Sequence, residues 1–197
     1  MRDTAPFIRI ADGVTKATAM RNKRMVIALG ETYRRLIAIQ RTTMTFRISG
    51  LPADAFDYWF TLDQAELAQA GAVRRVADSN PGFPCRISLT DAAVGEEVLL
   101  INYEHLPVDS PYRSRHAIYI RRGEKQCVVI DDIPPMLRTR MLSVRAFDNT
   151  GLMVGADTVD GYNLESIIEK RFADSRAQFL HVHFAAPGCY AARVDRD

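Results

Sequence analysis

The chain has 197 residues and a formal net charge of +2, and 47% of its residues are hydrophobic while 25% are charged. This balance is typical of a folded globular protein and excludes a disordered chain or a strongly basic nucleic-acid-binding protein. The sequence also contains no apolar run that approaches the roughly 20 residues of a membrane-spanning helix. We therefore expect a protein that binds no nucleic acid and no membrane.

The charge changes sign along the chain. Residues 1–43 contain nine Lys or Arg and three Asp or Glu, a net charge of +6, whereas residues 44–197 contain seventeen and twenty-one, a net charge of −4. We interpret residues 1–43 as a basic N-terminal extension that comes from an upstream start codon or is partly disordered. A docked helix near residues 22–40 and a targeting segment are the alternatives. Residues 44–197 have the usual length of a single globular domain.

The first predicted elements are a strand and a helix. Residues 45–50 have the pattern of a short strand. Thr61 and Gln64 have the spacing of a capping box, and Gly71 follows an alanine-rich run as a stop signal. The sequence therefore predicts a helix at residues 62–70.

From Pro84 onward the sequence changes to a β pattern. Residues 98–101 are a continuous apolar run, which indicates a strand that is covered on both faces. The further predicted strands lie at residues 115–121, 126–130, 140–147 and 152–158. The last two are joined by a turn at residues 148–151 and should form a hairpin.

An amphipathic helix is predicted at residues 163–173. Its apolar face contains Leu164, Ile167, Ile168 and Phe172. Such a face packs against a sheet. The order of elements indicates an α+β fold with a largely antiparallel sheet, two or three packed helices and a C-terminal β-hairpin.

The first strand of that hairpin combines an apolar face with a histidine face. Because side chains alternate along a strand, Leu180, Val182 and Phe184 share one face, and His181 and His183 share the other. We expect the apolar face to be the core face.

The register of the hairpin determines which side chains join the two histidines. The apolar side chains of the returning strand are Tyr190, Ala192 and Val194. Pairing apolar with apolar requires an odd number of loop residues, which places Cys189 and Arg193 beside His183 and His181. An even loop would instead place Tyr190 beside the histidines.

Two histidines at positions i and i+2 of a strand can reach one metal ion, and Cys189 is a possible third ligand. No further ligand follows at a diagnostic spacing, so the remaining donors would have to be His105, His116 or Cys85. The sequence therefore favours a protein without a metal site. The less favoured alternative is a metal site with His181, His183 and Cys189 as its ligands.

The three cysteines, Cys85, Cys127 and Cys189, form no Cys-x-x-Cys pair and cannot all pair as disulfides. We therefore expect a reduced, cytoplasmic setting. Arg86 follows Cys85 directly, and a guanidinium beside a thiol stabilises the nucleophilic thiolate or binds an anion. The alternative is that Cys85 is a packed free thiol.

A second candidate segment runs from Tyr103 to His116. Arg113 and Arg115 have the fork geometry that binds carboxylate or phosphate, and His105 or His116 is a candidate acid or base. The alternative is a solvated positive surface without a ligand.

Several motifs occur in an order that resembles one bacterial family, catalogued as domain of unknown function 1203. The motifs are Pro84-Cys85-Arg86, Gly95-Glu96-Glu97-Val98-Leu99-Leu100, Pro111-Tyr112-Arg113, Ala117-Ile118-Tyr119-Ile120, Arg145-Ala146-Phe147-Asp148, and Gly188-Cys189-Tyr190 with Arg193. The likeness spans roughly residues 44–197. It implies no activity, because the family has none assigned.

Two functional hypotheses follow from these residues. In the first, the protein binds or acts on a small anionic molecule in a pocket. Its candidate ligand-binding residues are Cys85, Arg86, Tyr103, His105, Arg113, His181, His183, Cys189 and Arg193. In the second, the protein is a non-enzymatic protein-interaction or regulatory domain with structural Cys and His residues. The sequence identifies no catalytic residue, reaction, cofactor or oligomeric state, and it leaves open whether the protein is an enzyme.

Overall fold

The computed structural model describes residues 45–197. The predictions for residues 1–43, including the helix near residues 22–40, lie outside the described residues. Within residues 45–197 the chain forms two mainly antiparallel sheets and few helices. The α+β class and the C-terminal hairpin are confirmed at this level, but the strands divide between two sheets where the sequence indicated one.

The strands range in length from two residues, in β3 and β4, to ten residues in β5. In chain order they are β1 (Phe46–Ser49), β2 (Val73–Val76), β3 (Pro84–Cys85), β4 (Thr90–Asp91), β5 (Glu97–Leu106), β6 (Ser114–Ile120), β7 (Val128–Ile130), β8 (Met141–Phe147), β9 (Met153–Asp160), β10 (Phe179–Phe184) and β11 (Tyr190–Arg196). The six-stranded sheet has the order β7-β1-β11-β10-β8-β9, and the five-stranded sheet has the order β2-β5-β6-β3-β4. The predicted hairpin of β8 with β9 is confirmed by their antiparallel pairing.

The helices are short and lie between strands in the chain. They are a 3-10 helix (Asp54–Phe60), α1 (Gln64–Gln69), α2 (Pro135–Arg138), a second 3-10 helix (Gly161–Asn163) and α3 (Leu164–Phe172). The predicted helix at residues 163–173 is therefore confirmed as α3. No helix within residues 45–197 has both the length and the apolar character needed to span a membrane.

Helix α1 begins later than the sequence predicts. Its capping box is formed by Asp63 and Glu66, which exchange hydrogen bonds of 2.9 and 2.8 Å between side chain and backbone. The predicted box of Thr61 with Gln64 is wrong because the Thr61 hydroxyl donates to the carbonyl of Tyr58 and closes the preceding 3-10 helix. An Asp at the N-cap accepts a hydrogen bond from the amide three residues later, as a Thr at the N-cap would.

Both faces of the six-stranded sheet are covered at β10. On one face, Leu180, Val182 and Phe184 belong to an apolar cluster with α2 and α3. The predicted core face of the hairpin is therefore confirmed. The opposite face, which carries His181 and His183, is also buried, because it packs against side chains of the five-stranded sheet.

Candidate functional site

All four histidines of the chain meet between the two sheets. His105 lies on β5, His116 on β6, and His181 and His183 on β10. The ring of His105 stacks on that of His116 with 4.8 Å between centroids, and it contacts His181 and His183 edge-on at 5.3 and 5.1 Å. The ring of Tyr190 also stacks on His105, at 4.8 Å. We call the four histidines the histidine cluster.

A β-bulge in each sheet aims side chains into the cluster. In the pairing of β5 with β6, Glu104 lies opposite Arg115 and Leu106 opposite Ser114, so His105 is the extra residue. Bulges of this kind re-aim a side chain and are common beside active sites. The bulge explains how His105 reaches β10.

The second bulge changes the predicted register of the hairpin. His181 lies opposite Arg193, as the sequence predicts, but His183 lies opposite Tyr190 rather than Cys189. The prediction for Cys189 is wrong because Ala191 is an extra residue in β11, which moves Tyr190 into the paired position. An aromatic ring therefore packs among the histidines in place of a thiol.

Hydrogen bonds fix the tautomers of part of the cluster. His183 Nδ1 lies 3.0 Å from the carbonyl oxygen of Gly188, so this nitrogen carries the proton and donates it. The other ring nitrogen, His183 Nε2, is buried and has no hydrogen-bond partner among the described residues. His105 Nε2 lies 2.7 Å from His116 Nδ1, and His105 Nδ1 lies 3.3 Å from His181 Nδ1. The cluster thus contains a buried lone pair that accepts no hydrogen bond from the described residues.

Burial keeps all four imidazoles neutral near pH 7. Burial lowers the pKa of His105 and of His183 to about 3, and the neighbouring Arg145 guanidinium adds to both shifts. Burial also lowers the pKa of His116, and it lowers the pKa of His181 well below its ordinary value. A neutral imidazole has the free lone pair that metal binding requires.

Three of the histidines have the spacing of a metal-binding set. One ring nitrogen from each of His105, His181 and His183 lies within 4.8 Å of the other two. Zinc-bound nitrogens lie about 2.0–2.1 Å from the metal and hence about 3.4 Å apart in a tetrahedral site, so a small closure completes the geometry. Among residues 45–197 no carboxylate and no cysteine belongs to this set.

An unpaired cation lies beside the cluster. Arg145 on β8 is opposite His181 in the sheet, and its charge acts on all four histidines. Its side chain is half-buried, and burial lowers its pKa. No residue in the described part of the chain forms an ion pair or a hydrogen bond with its guanidinium. A partly desolvated guanidinium without a counter-ion is a ready binding group for an anion.

A cavity of about 740 Å³ opens beside the cluster. His116 lines it, together with Arg86 from the end of β3 and Cys189 from the hairpin loop. Arg86 is buried and donates a hydrogen bond of 3.0 Å from Nη2 to the Cys189 sulfur. Arg86 and the hairpin loop therefore share one cavity, but Cys85 and residues 103–113, which the first functional hypothesis also assigns to the pocket, do not line it.

The remaining predicted site residues divide into two groups. Cys85 is fully buried in the apolar cluster of the five-stranded sheet, and Tyr103 packs on Phe56 at 5.4 Å between ring centroids. Arg113 lies at the surface and pairs with Glu104, and Arg193 pairs with Asp195 and lies over the ring of Phe179. Two of these residues are strand neighbours of the histidine cluster, since Arg193 lies opposite His181 and Tyr103 lies opposite His116.

Two site residues were missing from the predicted ligand set. The sequence offers His116 as a candidate acid or base and as a possible remote metal donor, and it places Arg145 in a predicted strand without a role. Period-two alternation offered a signal for Arg145, since Leu142, Val144 and Ala146 form an apolar face and leave Arg145 on the other. The sequence holds no comparable signal for His116, because only the pairing of β5 with β6 brings it to His105.

Residues 82–196 match the family described as protein of unknown function DUF1203. The match covers more than half of the chain and includes the whole histidine cluster, although it begins later than the residue 44 expected from the sequence. No curated protein and no solved structure matches the chain significantly. The motifs that suggested the resemblance from Pro84 to Arg193 all lie inside the matched region, and the chain belongs to the DUF1203 family.

Proposed function

We propose that this protein binds a divalent transition-metal ion through His105, His181 and His183, and that the metal and Arg145 together hold a small anionic molecule. The observation that carries the proposal is the lone pair of His183 Nε2, which is buried without a donor inside the cluster. An unsatisfied buried polar group costs about 1–3 kcal/mol of stability. A metal ion in contact with this nitrogen removes that cost.

The hydrogen bonds around the cluster leave one ring nitrogen of His105 and one of His183 free to bind the metal. Metal-binding histidines usually carry a hydrogen bond on the ring nitrogen that does not ligate. His183 has such a bond from Nδ1 to Gly188, and His105 has one between Nε2 and His116. These bonds leave Nε2 of His183 and Nδ1 of His105 for the metal, with His116 as a positioning residue.

The donor set indicates which metals fit. Imidazole suits zinc, copper, nickel and iron, whereas magnesium and calcium prefer oxygen ligands. Three protein ligands leave a position open for a further ligand, as in catalytic zinc sites. A metal ion held by the three histidines would act as a Lewis acid toward the ligand that occupies the open position.

The charge of the site favours an anion as that further ligand. Three neutral imidazoles, a dication and the Arg145 guanidinium give a strongly positive group, and no carboxylate within residues 45–197 belongs to the set of candidate ligands. Glu104, the acidic residue next to His105, is paired with Arg113. An incoming carboxylate or phosphate supplies the missing negative charge.

The metal part is tested on the full chain. Protein stripped with a chelator is mixed in turn with Zn²⁺, Co²⁺, Ni²⁺ and Cu²⁺, and bound metal is measured by elemental analysis and thermal unfolding. We expect one ion per chain, and at 100 times Kd a stabilisation of about 2.7 kcal/mol, or about 5–10 °C in Tm. Absence of any bound ion in the parent protein contradicts the proposal.

Two variants separate this site from the set that the sequence suggested. His183→Gln removes the orphaned imidazole and should abolish stoichiometric binding. Cys189→Ser is the matched control, because the Cys189 sulfur lies at Arg86 and outside the three-histidine set. Retention of metal by His183→Gln, or its loss in Cys189→Ser, would show that the ligands are different.

The anion part is tested separately on Co²⁺-loaded protein, whose visible spectrum reports changes at the metal. Phosphate and acetate are the probes. Arg145→Gln should weaken their binding by about tenfold or more, since a charge-assisted hydrogen bond contributes about 1.5–3 kcal/mol. Arg115→Gln is the control, because Arg115 is an exposed arginine on β6, in the other sheet from Arg145. Equal affinities in both variants would refute the role of Arg145 and leave the metal site standing.

A further inference from the structure

The wall of the cavity beside the histidine cluster has chemistry of its own. We propose that Cys189 is a nucleophilic thiolate, held by Arg86, and that it exchanges with low-molecular-weight disulfides that enter the cavity. The proposal uses side chains outside the proposed metal set and does not depend on metal binding.

Arg86 is a buried cation that lacks a carboxylate partner. Its side chain is 2% exposed, and Nε donates to the carbonyl oxygen of Tyr190 at 2.8 Å. Nη1 donates to the carbonyl of Pro84, and Nη2 donates to the Cys189 sulfur at 3.0 Å. No Asp or Glu among residues 45–197 forms a salt bridge with it. A buried charge without a counter-charge is strongly disfavoured, so one of its partners should be ionised.

Arg140, the second arginine that lines the cavity, is paired with a carboxylate and so provides a comparison for Arg86. Arg140 and Arg86 both lie on the ring of Phe184, at 5.2 and 4.9 Å from its centroid. Arg140 binds both carboxylate oxygens of Asp91, at 2.7 and 2.8 Å. Arg86 has two backbone carbonyls and a thiol in place of that carboxylate. Of the three hydrogen-bond acceptors of Arg86, the Cys189 sulfur is the one that can become an anion.

The rest of the lining is consistent with a negative sulfur. The titratable side chains that line the cavity are Arg86, His116, Tyr119, Arg140 and Cys189. No acidic residue of the described chain lines it. Burial lowers the pKa of Arg86, and the Cys189 sulfur opposes that shift. A positive, carboxylate-free wall stabilises a thiolate relative to the thiol.

The reaction is a thiol–disulfide exchange. The Cys189 thiolate attacks one sulfur of a disulfide R–S–S–R, a Cys189–S–S–R bond forms, and the original S–S bond breaks. The other half leaves as R–S⁻, so the Cys189 sulfur is oxidised and the released thiolate is reduced. The cavity volume of about 740 Å³ lies in the range of small-molecule sites and admits such a ligand.

The other two cysteines are controls inside the same molecule. Cys85 is fully buried among apolar side chains. Cys127 is half-buried like Cys189, but burial raises its pKa. In the described residues neither sulfur accepts a hydrogen bond from a guanidinium. Differences in reactivity between Cys127 and Cys189 therefore report the effect of Arg86 at comparable exposure.

The test is competitive labelling of the full chain in the presence of a chelator. Oxidised glutathione and iodoacetamide are used separately, and peptide mapping by mass spectrometry gives the modification rate at each cysteine. At pH 6.5 we expect Cys189 to react about tenfold faster than Cys127, because an ordinary thiol with a pKa of about 8.5 is about 1% ionised there. Between pH 6.5 and 8.5 the rate at Cys127 should rise more than about tenfold, and the rate at Cys189 less than about threefold.

Variants at Arg86 complete the test. Arg86→Met, which keeps the approximate volume and removes the charge, should make the pH dependence of Cys189 follow that of Cys127. If this variant does not fold, the comparison of Cys189 with Cys127 in the parent protein decides the question on its own. A rate at Cys189 that equals that at Cys127, or rises with pH in parallel with it, overturns the proposal. Alkylation of Cys189 without any mixed disulfide from glutathione overturns the exchange reaction.

Discussion

The two faces of strand β10 are both buried, but they are built from different chemistry. Leu180 and Val182 pack into the apolar cluster under α3, where burial stabilises by about 25 cal/mol for each Å² of apolar surface removed from water. His181 and His183 are buried just as deeply against rings from the other sheet. Among residues 45–197, the ring nitrogen His183 Nε2 on that face has no hydrogen-bond partner, and the neighbouring Arg145 guanidinium has no ion-pair or hydrogen-bond partner. Stabilisation of the fold explains why the apolar face is buried, but it does not explain the buried histidines of the other face.

This contrast separates stability from function within one strand. Buried polar groups in proteins are nearly always hydrogen-bonded, and a buried lone pair without a donor calls for an explanation. Leucine or phenylalanine at position 183 would bury the same space without that cost. The histidine face is therefore where the proposed ligand site lies, and the apolar face is what holds the strand in place.

The largest expected effect comes from the apolar face. Leu180→Ala should lower the free energy of unfolding by about 2–5 kcal/mol, because it leaves a cavity in a packed core. Urea denaturation measures this loss. The variant that remains folded should still bind one metal ion per chain, since Leu180 points away from the histidines. A loss of metal at full folding would mean that the two faces are not independent.

The histidine face predicts a second effect, which depends on pH. In metal-free protein, burial holds the pKa of His105 and of His183 at about 3, whereas an unfolded histidine has a pKa of about 6.5. Between these values the unfolded chain binds protons that the folded chain does not, so stability falls as the pH falls from 6.5 toward 3. After allowance for partial exposure, this pair should cost on the order of 2 kcal/mol between pH 7 and pH 5.

Urea denaturation of chelator-treated protein at a series of pH values measures this slope. His183→Gln is the control, because it removes one of the two groups and should make the slope shallower. Equal stability at pH 7 and pH 5 in the parent protein would show that the imidazoles are not held neutral.

A smaller effect is expected at the hairpin loop that orients His183. Gly188 has a φ of +73°, and a Cβ built on it meets no atom within 4 Å. Gly188→Ala therefore adds backbone strain of about 1–2 kcal/mol without a clash. Its carbonyl oxygen accepts a hydrogen bond from His183 Nδ1, so the strain should also weaken metal binding. Calorimetric unfolding and a metal titration distinguish the two consequences, and unchanged metal affinity would mean that Gly188 does not position His183.

The two faces of β10 could be predicted from the sequence, but the residues that pack against the histidine face could not. Alternation along β10 and the helical spacing of α3 depend only on local periodicity, and both predictions are confirmed. The approach of His105 to His181 depends on a bulge in β5 and on the packing of one sheet against another, across 76 positions of sequence. No local pattern encodes such contacts. The bulge at Ala191 likewise replaced Cys189 by Tyr190 beside His183, because one extra residue shifts the pairing of the side chains between the bulge and the hairpin loop.

The smallest effect is expected at Arg113, which the sequence placed in the ligand-binding set. Its side chain is 58% exposed, and it forms a bidentate pair with Glu104, at 2.7 and 3.3 Å, on the solvent side of β5. Arg113→Gln should therefore leave the affinity for phosphate or acetate unchanged in Co²⁺-loaded protein, where Arg145→Gln lowers it. Both variants remove one positive charge, so the comparison cancels any effect of net charge alone. A similar loss in both variants would mean that the anion responds to the overall charge of the surface and not to a guanidinium placed at the histidine face.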